Sequence, residues 1–281
     1  MQSRRGSSNF SQPSLRIGMT LCRGGLSELV EGLSNWRIWH LLGSGDLRRR
    51  YARSWGGQFW QTLSTGITAA IMGVVWSVLW RVPIAQMLPY LVTSLILWQF
   101  ISGMIGDSVG VFPNGANILL GQRIATSTVV YSMIYRNFLI FLHNAVVIVV
   151  VFALFWQPVS LQIVLIVPAL LLVLVTSVWF SFVCGALCAR FRDLGNVVQS
   201  VLQLAFYVTP VIWRPEFLAE KHRWLLYANP FAVFMQIARG TVFNEPVSAI
   251  NWSIASGIAF GGLLLALPII GAYRRRLTFW L

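Results

Sequence analysis

Seven long apolar stretches, with charge gathered between them rather than inside them, organise this chain. They run Phe59 to Leu79, Leu88 to Gly106, Asn137 to Trp156, Val159 to Ala189, Leu194 to Trp213, Trp224 to Phe243 and Ile250 to Tyr273. Most approach the roughly 20 residues that an α-helix needs to cross about 30 Å of hydrocarbon. A membrane β-barrel would alternate apolar and polar residues over segments of about 10 residues, and no such alternation is visible. A backbone in lipid must satisfy its own hydrogen bonds, so the spanning elements are predicted to be helices.

Basic residues near the ends of spans are retained in the cytosol. Arg4, Arg5, Arg16, Arg23, Arg37, Arg48, Arg49, Arg50 and Arg53 precede the first stretch, and Arg274, Arg275 and Arg276 follow the last. Both termini are therefore predicted to be cytosolic, which requires an even number of crossings. The sixth stretch is the one to remove. Asn229-Pro230 marks a helix break within it, Arg239 lies near its end, and the charged run Arg214, Glu216, Glu220, Lys221, His222, Arg223 precedes it. A bent re-entrant hairpin between spans five and six fits that pattern better than a straight crossing. Six transmembrane helices remain. Arg123, Arg136, Arg190 and Arg192 then fall on the cytosolic side, and Arg81, Arg214, Lys221, Arg223 and Arg239 outside.

Composition agrees with an all-α integral membrane protein: 57% of the 281 residues are hydrophobic and 10% are charged. The net charge of +13 reads as an orientation and anionic-lipid signal. Nucleic-acid binding would need a folded soluble basic domain, which is not evident. Residues 1–35 are rich in Ser, Gly and Arg without the apolar core of a secretory signal, and are expected to form a mobile cytosolic tail. Residues 36–58 are expected to form an interfacial segment and 59–281 the membrane domain. Cys184 and Cys188 share a helical face with no histidine or carboxylate beside them, so small packing residues are expected rather than a metal pair.

In Asp46 to Trp60 (D-L-R-R-R-Y-A-R-S-W-G-G-Q-F-W), Leu47, Tyr51, Trp55 and Phe59 recur every four residues, along one helical stripe. Arg49, Arg50 and Arg53 fall opposite, and Arg48 must snorkel from near the stripe. An amphipathic helix lying in the cytosolic interface is predicted. It serves either as an anchor or as a lever on a soluble partner.

Ionisable residues within the spans are scarce. His143 is the clearest and reads as an interhelical hydrogen-bonding residue, while Asp107 ends the second span. No acidic residue sits at a span centre, which disfavours ion coupling. Only eight acidic residues exist in the chain, with no carboxylate pair, metal-ligand spacing or Ser/His/Asp set, which argues against an enzyme. A P-loop needs a lysine after a glycine, but the only lysine, Lys221, stands between Glu220 and His222. An ATP-driven process would need its ATPase in another chain. The 13 Trp, 18 Phe and 7 Tyr are partly explained by the interfacial belt, as at Trp60, Trp80, Trp156 and Trp213. Trp76, Trp98, Phe100, Trp179, Phe206 and Tyr207 lie deeper. They either line a pathway, where flat faces stack on sugar rings, or pack against helices and lipid.

The Gly45 to Trp60 segment resembles the N-terminal motif R-D-L-K-x-R-Y-x-x-S-x-L-G-x-x-W of ABC-2 type permeases that export polysaccharides. Ala189 to Trp213 (A-R-F-R-D-L-G-N-V-V-Q-S-V-L-Q-L-A-F-Y-V-T-P-V-I-W) is similar to that family's region after the fourth span. Tyr227 to Phe231 (Y-A-N-P-F) and Arg239 continue the likeness. Gly45, Gly57 and Thr209 depart from the usual Arg, Leu and Ser.

The resemblance implies a six-span homodimeric permease with two copies of a separate ATPase, which would bind the ATP and magnesium. It makes the amphipathic segment a gate helix, with Arg48, Arg49, Arg50 and Tyr51 steering a lipid pyrophosphate. Asn114 to Thr126 would hold a coupling helix, with Ile118, Leu119, Gln122 and Arg123 meeting the ATPase, joined by Arg190, Arg192 and Asp193. Trp76, Trp98, Phe206 and Tyr207 would line the channel. Asn229, Pro230, Phe231 and Arg239 would belong to the re-entrant hairpin. The implied cargo is an undecaprenyl-linked polysaccharide (O-antigen, capsule or teichoic type) crossing the bacterial inner membrane. A drug or small-lipid exporter, and a membrane enzyme acting on polyprenol-linked sugars, are the alternatives.

Overall fold

The computed structural model describes residues 13–51, 56–57, 59–274 and 276–277, and among them no strand occurs. The helices are α1 (Pro13–Ser34), α2 (Trp36–Tyr51), α3 (Phe59–Trp80), α4 (Ile84–Ser108), α5 (Val111–Gly121), α6 (Ser127–Leu154), α7 (Ile166–Arg190), α8 (Leu194–Val208), α9 (Trp224–Ala228), α10 (Pro230–Phe243), α11 (Ala249–Ser256) and α12 (Gly262–Tyr273). A 3-10 turn, Leu161–Leu165, leads into α7, and a π-helical turn, Gly257–Gly261, joins α11 to α12. Among the described residues, five helical segments are long and apolar enough to cross a membrane: α3, α4, α6, Leu161–Arg190 and Ala249–Tyr273. The fifth predicted span is shorter than expected. Pro210 forces Thr209 into an extended conformation (ψ 140°), so α8 stops after 15 residues, about 22 Å of helix.

Helix α4 is the centre of the molecule, packed by α3, α6, α7, α8 and α10. Leu91, Val92, Ile96, Leu97, Phe100 and Met104 on it are all buried. Pro89 inside α4 has no N–H to return to the Ala85 carbonyl, and Gln157 Nε2 donates to that oxygen instead, at 2.9 Å.

Residues 13–34 form a helix where the sequence suggested a mobile tail. Its glycines are contact points rather than flexible links: a Cβ on Gly25 would lie 2.1 Å from the Leu267 carbonyl oxygen, and one on Gly271 2.0 Å from that of Leu21. Bare backbone on both sides lets α1 and α12 touch. The Glu28 carboxylate then accepts from Thr126 Oγ1 (2.6 Å) and Ser127 N (3.2 Å), and Ser127 Oγ donates to the Glu28 carbonyl at 2.6 Å. Residues 1–12 and Arg275 lie outside the described residues.

The predicted stripe Leu47, Tyr51, Trp55, Phe59 is not one helix. Helix α2 ends at Tyr51 and α3 begins at Phe59, with Gly57 between them in the left-handed region (φ 51°), a conformation that costs glycine little. Arg53, Trp55 and the Tyr51 side chain lie outside the described residues. What seats α2 is a different face: Trp39 meets Tyr135 edge-on at 5.4 Å, His40 lies 5.0 Å from Tyr135, and Asp46 faces Arg136.

Past α8 the chain doubles back beside α4. Phe206 and Phe231 both contact Trp98, at 5.7 and 5.5 Å. Nearer the start of α4, Tyr90 lies 6.4 Å from Phe243 and donates to the carbonyl of Trp213 at 2.8 Å. Arg214 Nη2 reaches the Gln86 carbonyl at 3.1 Å. The chain thus runs along α4 toward Gln86, returns through α9 to the depth of Trp98, and climbs again as α10. The sixth apolar stretch breaks at Asn229-Pro230, as its sequence suggested. Asn229 Oδ1 accepts from the backbone N of Phe231 (3.0 Å) and Ala232 (3.3 Å), capping α10.

Candidate functional site: a polar groove between α4, α6 and α8

An open groove of about 770 Å³ runs between α4, α6 and α8. Its α4 wall is Trp98, Gln99, Ser102, Gly103, Gly106 and Asp107, and its α6 wall Asn137, Ile140 and Asn144. Helix α8 contributes Gln199, Ser200, Gln203, Phe206 and Tyr207, with Gln61 from α3 and Arg50 from α2 at the margin. These residues share faces because of helical spacing. Gln199 and Gln203 are one turn apart, Asn137 and Asn144 two turns apart, and Gln99, Ser102 and Gly106 follow one side of α4.

Helices α3, α4 and α6 are tied together beside the groove by uncharged polar contacts. Thr62 Oγ1 donates to Asn144 Oδ1 at 3.0 Å, Asn144 Nδ2 donates to Gln99 Oε1 at 3.2 Å, and Gln99 meets Thr65 at 3.3 Å. Such bonds between apolar helices hold them in register. At the end of α4 the chemistry changes to charge. Asp107 Oδ2 accepts from Arg136 Nη2 (2.7 Å) and Asn137 Nδ2 (2.9 Å), and Arg136 Nη1 reaches Asp46 Oδ2 at 3.3 Å. Asp46 also pairs with Arg49. Arg136 therefore links α2, α4 and α6 at one end of the groove.

Of the residues singled out from sequence, Trp98, Phe206, Tyr207 and Arg50 come together here. Trp98 and Phe206 meet edge to face, Phe206 and Tyr207 likewise at 5.4 Å, and Tyr207 is 61% exposed. Trp76 does not join them. It stacks on Trp80 at 4.7 Å and packs against the cluster of Met87, Tyr90 and Leu91 near the start of α4, about three turns along α3 from the Thr65 that meets Gln99. Phe100 is buried against Phe141 at 4.6 Å, and Trp179 packs over Gly262, so both belong to the interior rather than to a pathway. Arg48 and Arg49 are exposed at the end of α2.

Leu119, Gln122 and Arg123 gather in a second concavity of about 590 Å³ with Glu28, Thr126 and Arg274. Leu119 is buried there while Gln122 and Arg123 are exposed, and Ile118 is half-buried on α5. Arg190, Arg192 and Asp193 occupy a separate exposed turn between α7 and α8, with Arg190 over the Phe191 ring at 5.4 Å.

Arg239, expected on the outer side, is buried at 2% exposure. It donates through Nη1 to Tyr90 Oη (2.7 Å), Ser94 Oγ (3.2 Å) and the Pro210 carbonyl (2.7 Å). Its guanidinium also lies 4.4 Å from the Tyr90 ring centroid. Phe231 sits against Trp98, and Pro230 is exposed at the start of α10. His143, expected to bond between helices, is exposed on α6, where no hydrogen bond is formed with the described residues. Its neighbour Asn144 takes that role. Gln99, Asn137, Asn144, Gln199, Gln203 and Arg136 were missed as site residues. A search for amides inside the apolar stretches, rather than charges, would have found most of them.

The sequence profile described as ABC-2 type transporter matches residues 39–243. Two relatives, each an O-antigen export system permease protein RfbA of Klebsiella pneumoniae, are 27% and 25% identical over 234 residues, 82% of this chain and 88% of theirs. The protein of the same name from Myxococcus xanthus is 23% identical over 192 residues, 68% of this chain and 74% of its own.

Proposed function

This chain belongs to the ABC-2 type transporter family, and we propose that it is the permease subunit of an exporter that moves a lipid-linked polysaccharide across the bacterial inner membrane. The amide- and aromatic-lined groove carries this reading. Amides both donate and accept, as sugar hydroxyls do, and exposed aromatic faces suit pyranose rings. Such a surface cannot rest against hydrocarbon at membrane depth. A second copy of the chain would close it into a channel, which gives the homodimer its physical reason. A drug or small-lipid exporter would want apolar walls instead, and the relatives' names speak for O-antigen export. Membrane-embedded sugar chemistry finds less support than transport, given the family.

In this reading α8 completes six crossings with the five longer segments, both termini are cytosolic, and α9 with α10 forms a re-entrant pair near the outer exit. Two copies of a partner ATPase would bind ATP and magnesium. They would press on the exposed end of α5 around Ile118, Gln122 and Arg123 and on the Arg190, Arg192, Asp193 turn. The Glu28 bonds to Thr126 and Ser127 would pass that push to α1 and α6. Arg48, Arg49 and Arg50, with Tyr51 next to them, would draw the anionic pyrophosphate of the lipid carrier toward the groove's mouth.

Deleting the gene in its host tests the export role. The expected result is undecaprenyl-linked polymer retained in the cytosol with none at the surface. Surface glycan at normal level would overturn it.

A further inference from the structure

We propose that the groove admits a glycan whose repeating units carry no charge, negative charge being accepted only at its lipid-linked end. This rests on the groove being the glycan's path. The groove divides its chemistry by depth. Asp107, Arg136, Asp46 and Arg50 gather at the cytosolic mouth. Beyond Asp107, the described lining residues are amides, a few hydroxyls, glycine and apolar or aromatic side chains, with no cation among them. Gln99 stands eight residues before Asp107 on α4, about 12 Å deeper along a helix.

A neutral sugar entering that region exchanges water for groups of matched character. Each hydroxyl can donate to one amide and accept from another, while the Trp98, Phe206 and Tyr207 rings cover the apolar faces of the sugar. A carboxylate or phosphate on every repeat meets a different surface. Each must pass the Asp107 carboxylate and then lie at membrane depth with only neutral dipoles around it, where an uncompensated charge is strongly disfavoured. Closing the groove with the same face of a second copy doubles the amides and, among the described lining residues, adds no cation beyond those at the mouth. Arg50 and its neighbours serve the single pyrophosphate, which passes the mouth once per chain.

The test uses the permease with its ATPase in inside-out proteoliposomes. Three cargoes share one polyprenyl-pyrophosphate-linked hexose polymer: native, with primary hydroxyls oxidised to carboxylates, and with those carboxylates converted to amides. Native and amidated polymers should be taken up alike, while the carboxylated polymer falls by about tenfold or more. Gln199→Arg and Gln203→Arg, both at exposed positions of α8, should raise the ratio of carboxylated to native uptake. Uptake of the carboxylated polymer within about twofold of native, in the unsubstituted protein, would overturn the proposal. If none of the three moves while ATP is hydrolysed, the polysaccharide-export reading itself falls, and this inference with it.

Discussion

Arg239 is among the largest fully buried side chains of the described protein, and no described carboxylate forms an ion pair with it. Its charge is spread instead over Tyr90 Oη, Ser94 Oγ and the Pro210 carbonyl, with the Tyr90 ring against its face. A planar guanidinium can hold several partners at once, which a lysine ammonium does poorly. Arg239→Met leaves the Pro210 carbonyl without its charged donor in a dry site and should cost about 2–4 kcal/mol. Thermal unfolding in detergent measures this, and Arg239→Lys should recover only part of the loss. The partners lie 29 to 149 residues away in sequence, so the burial of this charge is not legible in the residues around it. Arg136 has two unequal carboxylate partners. Asp107 holds it at 2.7 Å with Asn137 assisting, Asp46 at 3.3 Å without such help. Asp107→Asn should therefore destabilise more than Asp46→Asn, and the double variant should fall short of the sum, because both act through one guanidinium. Melting temperatures of the three variants decide it.

Among the elements, α1 depends most on the absence of side chains. At Gly25 an added methyl would meet the Leu267 backbone, whereas at the adjacent Gly24 it would find its nearest atoms at 3.8 Å, ordinary contact. Gly25→Ala should part α1 from α12 at a cost of about 1–3 kcal/mol, and Gly24→Ala should be close to neutral. Limited proteolysis of α1 in membranes distinguishes them: faster cleavage is expected for Gly25→Ala alone. The same glycines made residues 13–34 look like a tail, because composition cannot separate glycine that loosens a chain from glycine that lets two backbones touch. The continuous stripe from Leu47 to Phe59 breaks for a related reason. A four-residue period through Tyr51, Trp55 and Phe59 is real, but Gly57 at positive φ interrupts it, and the Trp39 face that seats α2 on α6 lies upstream of the motif. The Asn229-Pro230 break was readable because proline and its preceding residue act locally.

At the scale of the whole molecule, the all-helical membrane architecture was legible from seven apolar stretches, since hydrophobic length acts residue by residue. The groove was legible only in part. Trp98, Phe206 and Tyr207 were visible as deep aromatics, but their company of Gln99, Asn144, Gln199 and Gln203 arises from three helices meeting, and no single stretch reveals it. On the far side of α4 and α6, Leu142, Val149 and Trp156 line an apolar crevice. The two faces of α6 thus offer opposite surroundings, and cargo should touch only one. Site-specific photo-crosslinking during export measures this most directly, with a benzophenone side chain placed at Gln203 on the groove or at Val149 on the apolar face. Adducts carrying the lipid-linked glycan at Gln203 and not at Val149, dependent on an active ATPase, are the predicted result. Glycan adducts at Val149 with none at Gln203 would contradict the groove as the path.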